Sequence, residues 1–158
     1  MARSRWFPRQ LRRFAQIDGH RRALVIEAVF WLALARIALL TMPFQRIAHR
    51  LGAFRSPAEG HAAAASGLCL PEQVTLAREI GWAVTRAARH LPFKAVCLPQ
   101  AMAAKMMLRR RHVASVLSFG VARDAEGALE SHAWLSAVGV EVTGYPVAAQ
   151  FAEIACFV

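Results

Sequence analysis

The sequence predicts an α+β fold in which helices come first and a small antiparallel sheet follows. Apolar residues recur at helical spacing as far as residue 111, and from residue 113 they alternate with a period of two. This order of patterns is typical of the α+β class. The chain has 158 residues, of which 56% are hydrophobic and 19% charged. This composition suits one folded core and excludes a disordered chain.

Residue 69 is the predicted boundary between two parts of the chain. Residues 1–69 are expected to form a helical N-terminal part that packs on or docks to a core, which is formed by residues 70–158. Residues 1–22 are a basic lead-in. Residues 53–69 are predicted to be a loop, because they contain three breakers, Pro57, Gly60 and Gly67.

Two helices are predicted in the N-terminal part, over residues 23–42, ended by Pro43, and over residues 44–51. The first is apolar and long enough to be considered as a membrane span. However, Glu27 and Arg36 point to opposite faces of this helix, so both cannot avoid lipid. We therefore predict a buried or partner-contacting helix and no transmembrane span. The basic residues before it leave peripheral membrane attachment open.

The core is predicted to begin with two further helices. Pro71 suits the first position of a helix, Glu72 lies in its first turn, and Pro92 follows its end. The next helix runs over about residues 98–111. It is apolar almost all round, so we expect it to be central and buried.

Alternating residues then predict the sheet. Three strands are expected, over residues 113–121, 129–136 and 140–143. Turns separate them at residues 123–127 and at Gly139. Residues 147–153 are predicted to form a short closing helix before an apolar tail.

Charge and cysteine content limit the compartment and the partners. The net charge of +10 attracts acidic partners, although scattered charges usually form a solvated surface. A nucleic-acid role is disfavoured because there is only one tyrosine, no known binding motif and no basic helix face. The chain shows no signal peptide, and its three cysteines lack the paired spacing of zinc sites, so we predict free thiols in the cytoplasm.

Cys97 and His132 are the candidate catalytic residues. Cys97 precedes the buried helix, where the positive end of the helix dipole and unpaired N–H groups stabilise a thiolate. His132 lies in a strand among apolar neighbours, where an imidazole needs a polar partner. Each residue alone is more often structural, and for Cys69 and Cys156 we expect buried structural cysteines. Together, however, Cys97 and His132 match a nucleophile and its base.

Four short motifs in order carry a family resemblance. They are Pro92 in a turn, Cys97-Leu98-Pro99, Gly120-Val121 at a strand end, and His132-Ala133-Trp134. This run, closest over residues 74–144, resembles the leader peptidases of lasso-peptide biosynthesis.

The resemblance implies a transglutaminase-like, papain-like cysteine protease core with Cys97 as nucleophile and His132 as base. Such an enzyme cleaves the leader from a ribosomally synthesised precursor through a thioester and requires no metal or organic cofactor. Its implied partners are the precursor peptide, a small leader-binding recognition protein and an ATP-dependent macrolactam cyclase.

One departure concerns the residue that orients the histidine. The family usually places an aspartate on the strand after the histidine. In a hairpin centred on Val138, the residue opposite His132 is Gly144, which has no carboxylate. An alternative function is therefore a catalytically impaired scaffold that binds the precursor without cutting it. The remaining candidates for the orienting group are Glu141, Glu130, Thr143 and a backbone carbonyl.

Overall fold

The computed structural model describes residues 18–65 and 69–158. Most of the basic lead-in, residues 1–17, and residues 66–68 near the predicted boundary lie outside the described residues. The described residues form five helices and one five-stranded antiparallel sheet, with the helices largely preceding the strands. The predicted α+β class with a helical N-terminal part is therefore confirmed.

Two helices open the described chain, as predicted. Helix α1 spans Gly19–Thr41 and helix α2 spans Phe44–Leu51. Met42 between them is extended, as expected for a residue that precedes a proline. Helix α1 therefore begins earlier than the predicted residue 23 and ends one residue earlier than predicted.

The prediction of a loop over residues 53–69 is wrong. Strand β1 spans Phe54–Arg55 and helix α3 spans Pro57–Ala65. The backbone N–H and the hydroxyl of Ser56 both donate to Glu59 Oε2, at 3.2 and 2.7 Å. A serine followed three residues later by a glutamate is the capping-box pattern, and it starts a helix here despite the nearby glycine.

The two helices of the predicted core are confirmed. Helix α4 spans Pro71–Ala88 and helix α5 spans Cys97–Arg109. Helix α5 is buried on every side from Ala101 to Lys105. It packs against α1 and α4 and against strands of the sheet, which explains why its sequence is apolar almost all round.

The sheet contains the three predicted strands and two that were not predicted. Strand β2 spans Ser115–Arg123, β3 spans Leu129–Ala137, β4 spans Val140–Thr143 and β5 spans Ala152–Phe157. The strand order is β1-β5-β2-β3-β4, and every neighbouring pair is antiparallel.

The prediction of a closing helix over residues 147–153 is wrong, because the chain end joins the sheet. Strand β5 lies between β1 and β2, and its last three residues, from Ala155 to Phe157, are buried. A strand covered on both faces loses its period-two pattern. The pairing with β2 satisfies the backbone groups on the open side of that strand.

One apolar cluster joins the N-terminal part to the core. It includes Leu24 and Leu32 of α1, Ile80 of α4, Met107 of α5 and Leu135 of β3. By length and composition α1 also passes as a membrane span, since an 18-residue window has a mean hydropathy of 2.2, but its inner face belongs to this cluster.

The acidic residue of α1 is paired with a cation that follows the end of α5. Arg111 donates to both carboxylate oxygens of Glu27, at 3.1 and 2.7 Å. This hydrogen bond lowers the pKa of Glu27 below its usual value. The charge that interrupts the apolar helix is thus satisfied within the protein.

Candidate active site

Cys97 is the first residue of the buried helix α5, as the sequence indicated. Its side chain is partly exposed. Val96 before it is extended, and no side chain caps the helix. The first N–H groups of a helix have no partner within the helix, and Pro99 has no N–H, so Cys97 and Leu98 provide the donors at this end. The thiol therefore lies at the positive end of a rigidly held helix.

His132 lies on β3 with its ring held by a backbone carbonyl. Nε2 is 2.6 Å from the Gly144 oxygen. A carbonyl only accepts, so this bond requires the proton on Nε2 and leaves Nδ1 with a free lone pair. The ring also contacts Trp134 and Phe151, with ring centroids 5.9 and 5.3 Å apart. The imidazole is thus fixed in one tautomer with Nδ1 as its basic atom.

The predicted register of the β3–β4 hairpin is wrong. A two-residue turn precedes β4, and a register shift places Thr143 opposite Leu135. Gly144 therefore follows next to Trp134 and not opposite His132. A Cβ on Gly144 would lie 2.8 Å from the Trp134 Cα. His132 lies two residues before Trp134 on β3, and its ring nevertheless reaches the Gly144 carbonyl.

The sequence left open which group orients His132, and the structure shows one group bonded to its ring. Of the four alternatives, the backbone is the one bonded to the ring of His132, through Gly144. Glu130 is exposed at the start of β3. Within the described chain, the hydroxyl of Thr143 is buried and has no hydrogen-bond partner.

Glu141 belongs to a different surface. It lines a cleft of about 460 Å³ between α4 and β4. Neither Cys97 nor His132 lines this cleft. The other lining residues include several cations and one indole, namely Arg78, Arg86, Arg89, His90 and Trp82.

Cys97 and His132 lie on neighbouring elements without being hydrogen-bonded to each other in the described structure. Helix α5 packs against β3. Alternation along β3 places His132 and Trp134 on one face, whereas Leu135 and Ala137 face the helical core. The structure thus shows no direct hydrogen bond between Cys97 and His132 among the described residues, and the catalytic assignment of each stays a prediction.

The other two cysteines differ from each other. All three thiols are free. Cys156 is buried, as predicted, and burial raises the pKa of its thiol. Cys69 is exposed, so its prediction as a buried residue is wrong. Among the described residues, no group of three or more His, Cys, Asp or Glu side chains could hold a metal ion.

Sequence reasoning missed two groups around the imidazole. Phe151 was assigned to a predicted helix, although it lies just before β5 and contacts the ring of His132. Gly144 was named only as the position without a carboxylate. Its carbonyl depends on the register of β4, which no local signal in the sequence specifies.

Comparison with known proteins gives the family. A model of the transglutaminase-like superfamily matches residues 38–156, about three quarters of the chain. No curated protein and no solved structure is significantly similar to it. The match covers Cys97 and His132 together with helix α5 and strand β3, on which they lie. We conclude that the chain belongs to the transglutaminase-like superfamily.

Proposed function

We propose that the protein is a cysteine peptidase that removes the leader from a ribosomally made lasso-peptide precursor. The superfamily includes cysteine peptidases. The observation that carries the proposal is the position of Cys97 as first residue of a buried helix with no capping side chain. The substrate class rests on the motifs around Cys97 and His132 that resemble the leader peptidases.

The proposed reaction proceeds through a thioester. The sulfur of Cys97 attacks the carbonyl carbon of the scissile amide, and its proton passes to Nδ1 of His132. The N–H groups of Cys97 and Leu98 donate to the oxyanion. The imidazolium then returns the proton to the departing amine, and the leader remains as a thioester. Water, activated by the same imidazole, releases the leader as a carboxylic acid and regenerates the thiol.

In this proposal the Gly144 carbonyl takes the place of the usual acid. It fixes the tautomer of His132 but, being neutral, stabilises the imidazolium less than a carboxylate does. Proton transfer requires Nδ1 to approach the sulfur to hydrogen-bond distance. Because His132 lies on the face of β3 opposite Leu135 and Ala137, the proposal requires that substrate binding bring its ring towards the start of α5.

The proposal includes partners and a compartment. A small leader-binding protein presents the precursor, and an ATP-dependent macrolactam cyclase receives the core peptide. We place the reaction in the cytoplasm, where the three free thiols would remain reduced.

A second candidate is a scaffold that binds the precursor without cutting it. The lack of a hydrogen bond between Cys97 and His132 in the described structure, and a carbonyl where the family has a carboxylate, favour this alternative. The same partners apply to both candidates, so the distinction is whether the amide bond is broken.

The test uses the purified protein with a precursor peptide and leader-binding protein encoded beside it, and mass spectrometry as readout. We expect a cleaved leader and an acyl-enzyme adduct on Cys97. Cys97→Ala should abolish both, and His132→Ala should slow cleavage at least about 100-fold. Cys69→Ala, which removes an exposed thiol, is the matched control and should cleave normally.

Two results would reject the peptidase. Tight precursor binding without any cleavage by the unmodified protein would support the scaffold. Undiminished cleavage by a folded Cys97→Ala variant would show that the nucleophile is wrongly assigned.

A further inference from the structure

One side of α1 is apolar and exposed along most of the helix. We call this side the outer face, and its members are Ile26, Val29, Phe30, Leu34, Ile37 and Leu40. Their exposed fractions range from 38% to 68%. Their spacing of three and four residues aligns them on one side, over about 21 Å from the first to the last. A continuous exposed apolar surface of this kind marks an interaction site.

None of the six members of the outer face is charged. Glu27 borders the outer face on one side and Arg36 on the other, and Glu27 is bound by Arg111, which follows the end of α5. The opposite side of α1 packs into the core through residues that include Leu24 and Leu32. The helix therefore cannot turn its outer face inward, since its inner face is already occupied.

The net charge of the sequence is concentrated in the segment that contains this helix. Residues 1–58 contain eleven arginines against Asp18 and Glu27, a formal charge of +9. Residues 59–158 contain nine basic and eight acidic residues, a formal charge of +1. Nearly the whole excess of +10 thus accompanies the apolar helix, and the rest of the domain is almost neutral.

Exposed basic residues lie near both ends of the outer face. His20 and Arg21 are more than half exposed at the start of α1, where both also contact Glu79, at 3.2 and 3.7 Å. Helix α2 follows two residues after α1 and carries exposed Arg46 and Arg50. An apolar helix face bordered by basic residues is the pattern of helices that lie in the interface of an anionic membrane.

An apolar cavity extends this surface inward. It has a volume of about 180 Å³ and lies between α1, α2 and α5. Leu34 of the outer face lines it, together with Met102 and Met106, and Arg50 is its charged lining residue. The cavity could take the end of an acyl chain, with the Arg50 guanidinium available to a lipid phosphate.

We propose that α1 seats the protein on an anionic phospholipid membrane, lying parallel to the surface with its outer face among the acyl chains. The charge distribution favours lipid over a second copy, because residues 1–58 carry a formal charge of +9, which attracts anionic lipid and repels the same segment of another copy. Spanning is disfavoured, because it would withdraw the inner face from the core and separate Glu27 from Arg111. The attachment is independent of the proposed peptidase activity.

The experiment is flotation of the full chain with vesicles of phosphatidylcholine mixed with phosphatidylglycerol, and with vesicles of phosphatidylcholine alone. We expect binding to the anionic vesicles only, weakened by salt and reversed by alkaline carbonate. The double substitution Phe30→Ser and Ile37→Ser should weaken vesicle binding about tenfold or more, because it removes two large side chains from the outer face.

The matched control is the double substitution Leu129→Ser and Ile154→Ser. It removes side chains of comparable exposure, 67% and 57%, from the sheet and should bind vesicles normally. Thermal unfolding verifies that both variants are folded. Four results would overturn the proposal: no flotation of the unmodified chain, equal flotation of both double variants, resistance to carbonate as for a spanning helix, or a stable dimer in solution that Phe30→Ser and Ile37→Ser dissociate.

Discussion

A backbone carbonyl holds the imidazole of His132, and this contact depends on the conformation of one residue. Gly144 has a φ of +83°, and its carbonyl accepts from Nε2 at 2.6 Å. The sequence predicted Gly144 opposite His132, whereas Gly144 lies next to Trp134. It could not place the carbonyl, because the register shift before Thr143 arises from pairing across the hairpin and not from a local motif.

We predict that Gly144→Ala lowers the free energy of unfolding by about 2–5 kcal/mol, through positive φ and through a steric clash. A Cβ would lie 2.5 Å from the Ala133 oxygen. Gly127→Ala is the matched control, because Gly127 has the same φ of +83° but open space around it. It should cost only about 1–2 kcal/mol.

Urea denaturation measures both costs, and ring nitrogen NMR reports whether His132 keeps its proton on Nε2. Gly144→Ala should disturb this tautomer, whereas Gly127→Ala should not. Equal costs for the two variants, with an unchanged tautomer in both, would contradict the steric role assigned to Gly144.

At the scale of elements, a buried lysine ties the central helix to the sheet. Lys105 of α5 donates to the carbonyls of Ser115 and Phe157, at 2.9 and 3.1 Å. These acceptors lie at the start of β2 and the end of β5. Burial, followed by the nearby charge of Arg109, lowers the pKa of Lys105 to about 8. The lysine was visible in the sequence only as a polar interruption of an apolar helix.

We predict that stability rises with pH above about 8 because of Lys105. Its folded-state pKa of about 8 lies below the ordinary value of 10.5, so the unfolded chain holds the proton longer. The free energy of unfolding should therefore increase between about pH 8 and 10.5, by roughly 3 kcal/mol at most. Below pH 8 this contribution is absent, because both states bind the proton.

The test measures the free energy of unfolding by urea denaturation at pH 7 and pH 10. It compares Lys105→Met with Lys94→Met, which is the matched control. Lys94 is exposed, and it is the one other lysine in the chain. The rise in stability due to Lys105 should disappear in Lys105→Met and persist in Lys94→Met. Parallel pH profiles for the two variants would show that Lys105 titrates normally in the folded protein.

Helices and strands that are specified by neighbouring residues could be predicted from the sequence. Those that form by pairing with residues far away in the chain could not. Pro71 and the apolar period after it defined α4. Strand β5 becomes a strand because β2 offers it an unpaired edge, which lies more than thirty residues earlier in the chain. Helix α3 is intermediate, since the pairing of Ser56 with Glu59 was present in the sequence but was outweighed by the breakers Pro57, Gly60 and Gly67.

At the scale of the whole molecule, the N-terminal helices share one hydrophobic core with residues 70–158. Leu32 of α1 is fully buried in the cluster that contains Ile80 and Met107. The short strand β1 also pairs with β5, the last strand of the chain. A division at residue 69 stays a prediction. The shared core leads us to expect that both parts unfold in one cooperative transition.

We predict that Leu32→Ala lowers the free energy of unfolding of the whole protein by about 2–5 kcal/mol, because it leaves a cavity in the shared core. Leu40→Ala is the matched control on the same helix, and it should change stability by about 0.5 kcal/mol or less, since Leu40 is 68% exposed. Circular dichroism reports the helices, and tryptophan fluorescence reports Trp134 in the sheet as well as Trp31 in α1. Both signals should follow one urea transition, which Leu32→Ala moves to lower urea without changing its slope. If Leu32→Ala instead divided unfolding into two urea transitions, with loss of helix and a change in Trp31 fluorescence in the first, α1 would be a docked unit that unfolds before residues 70–158.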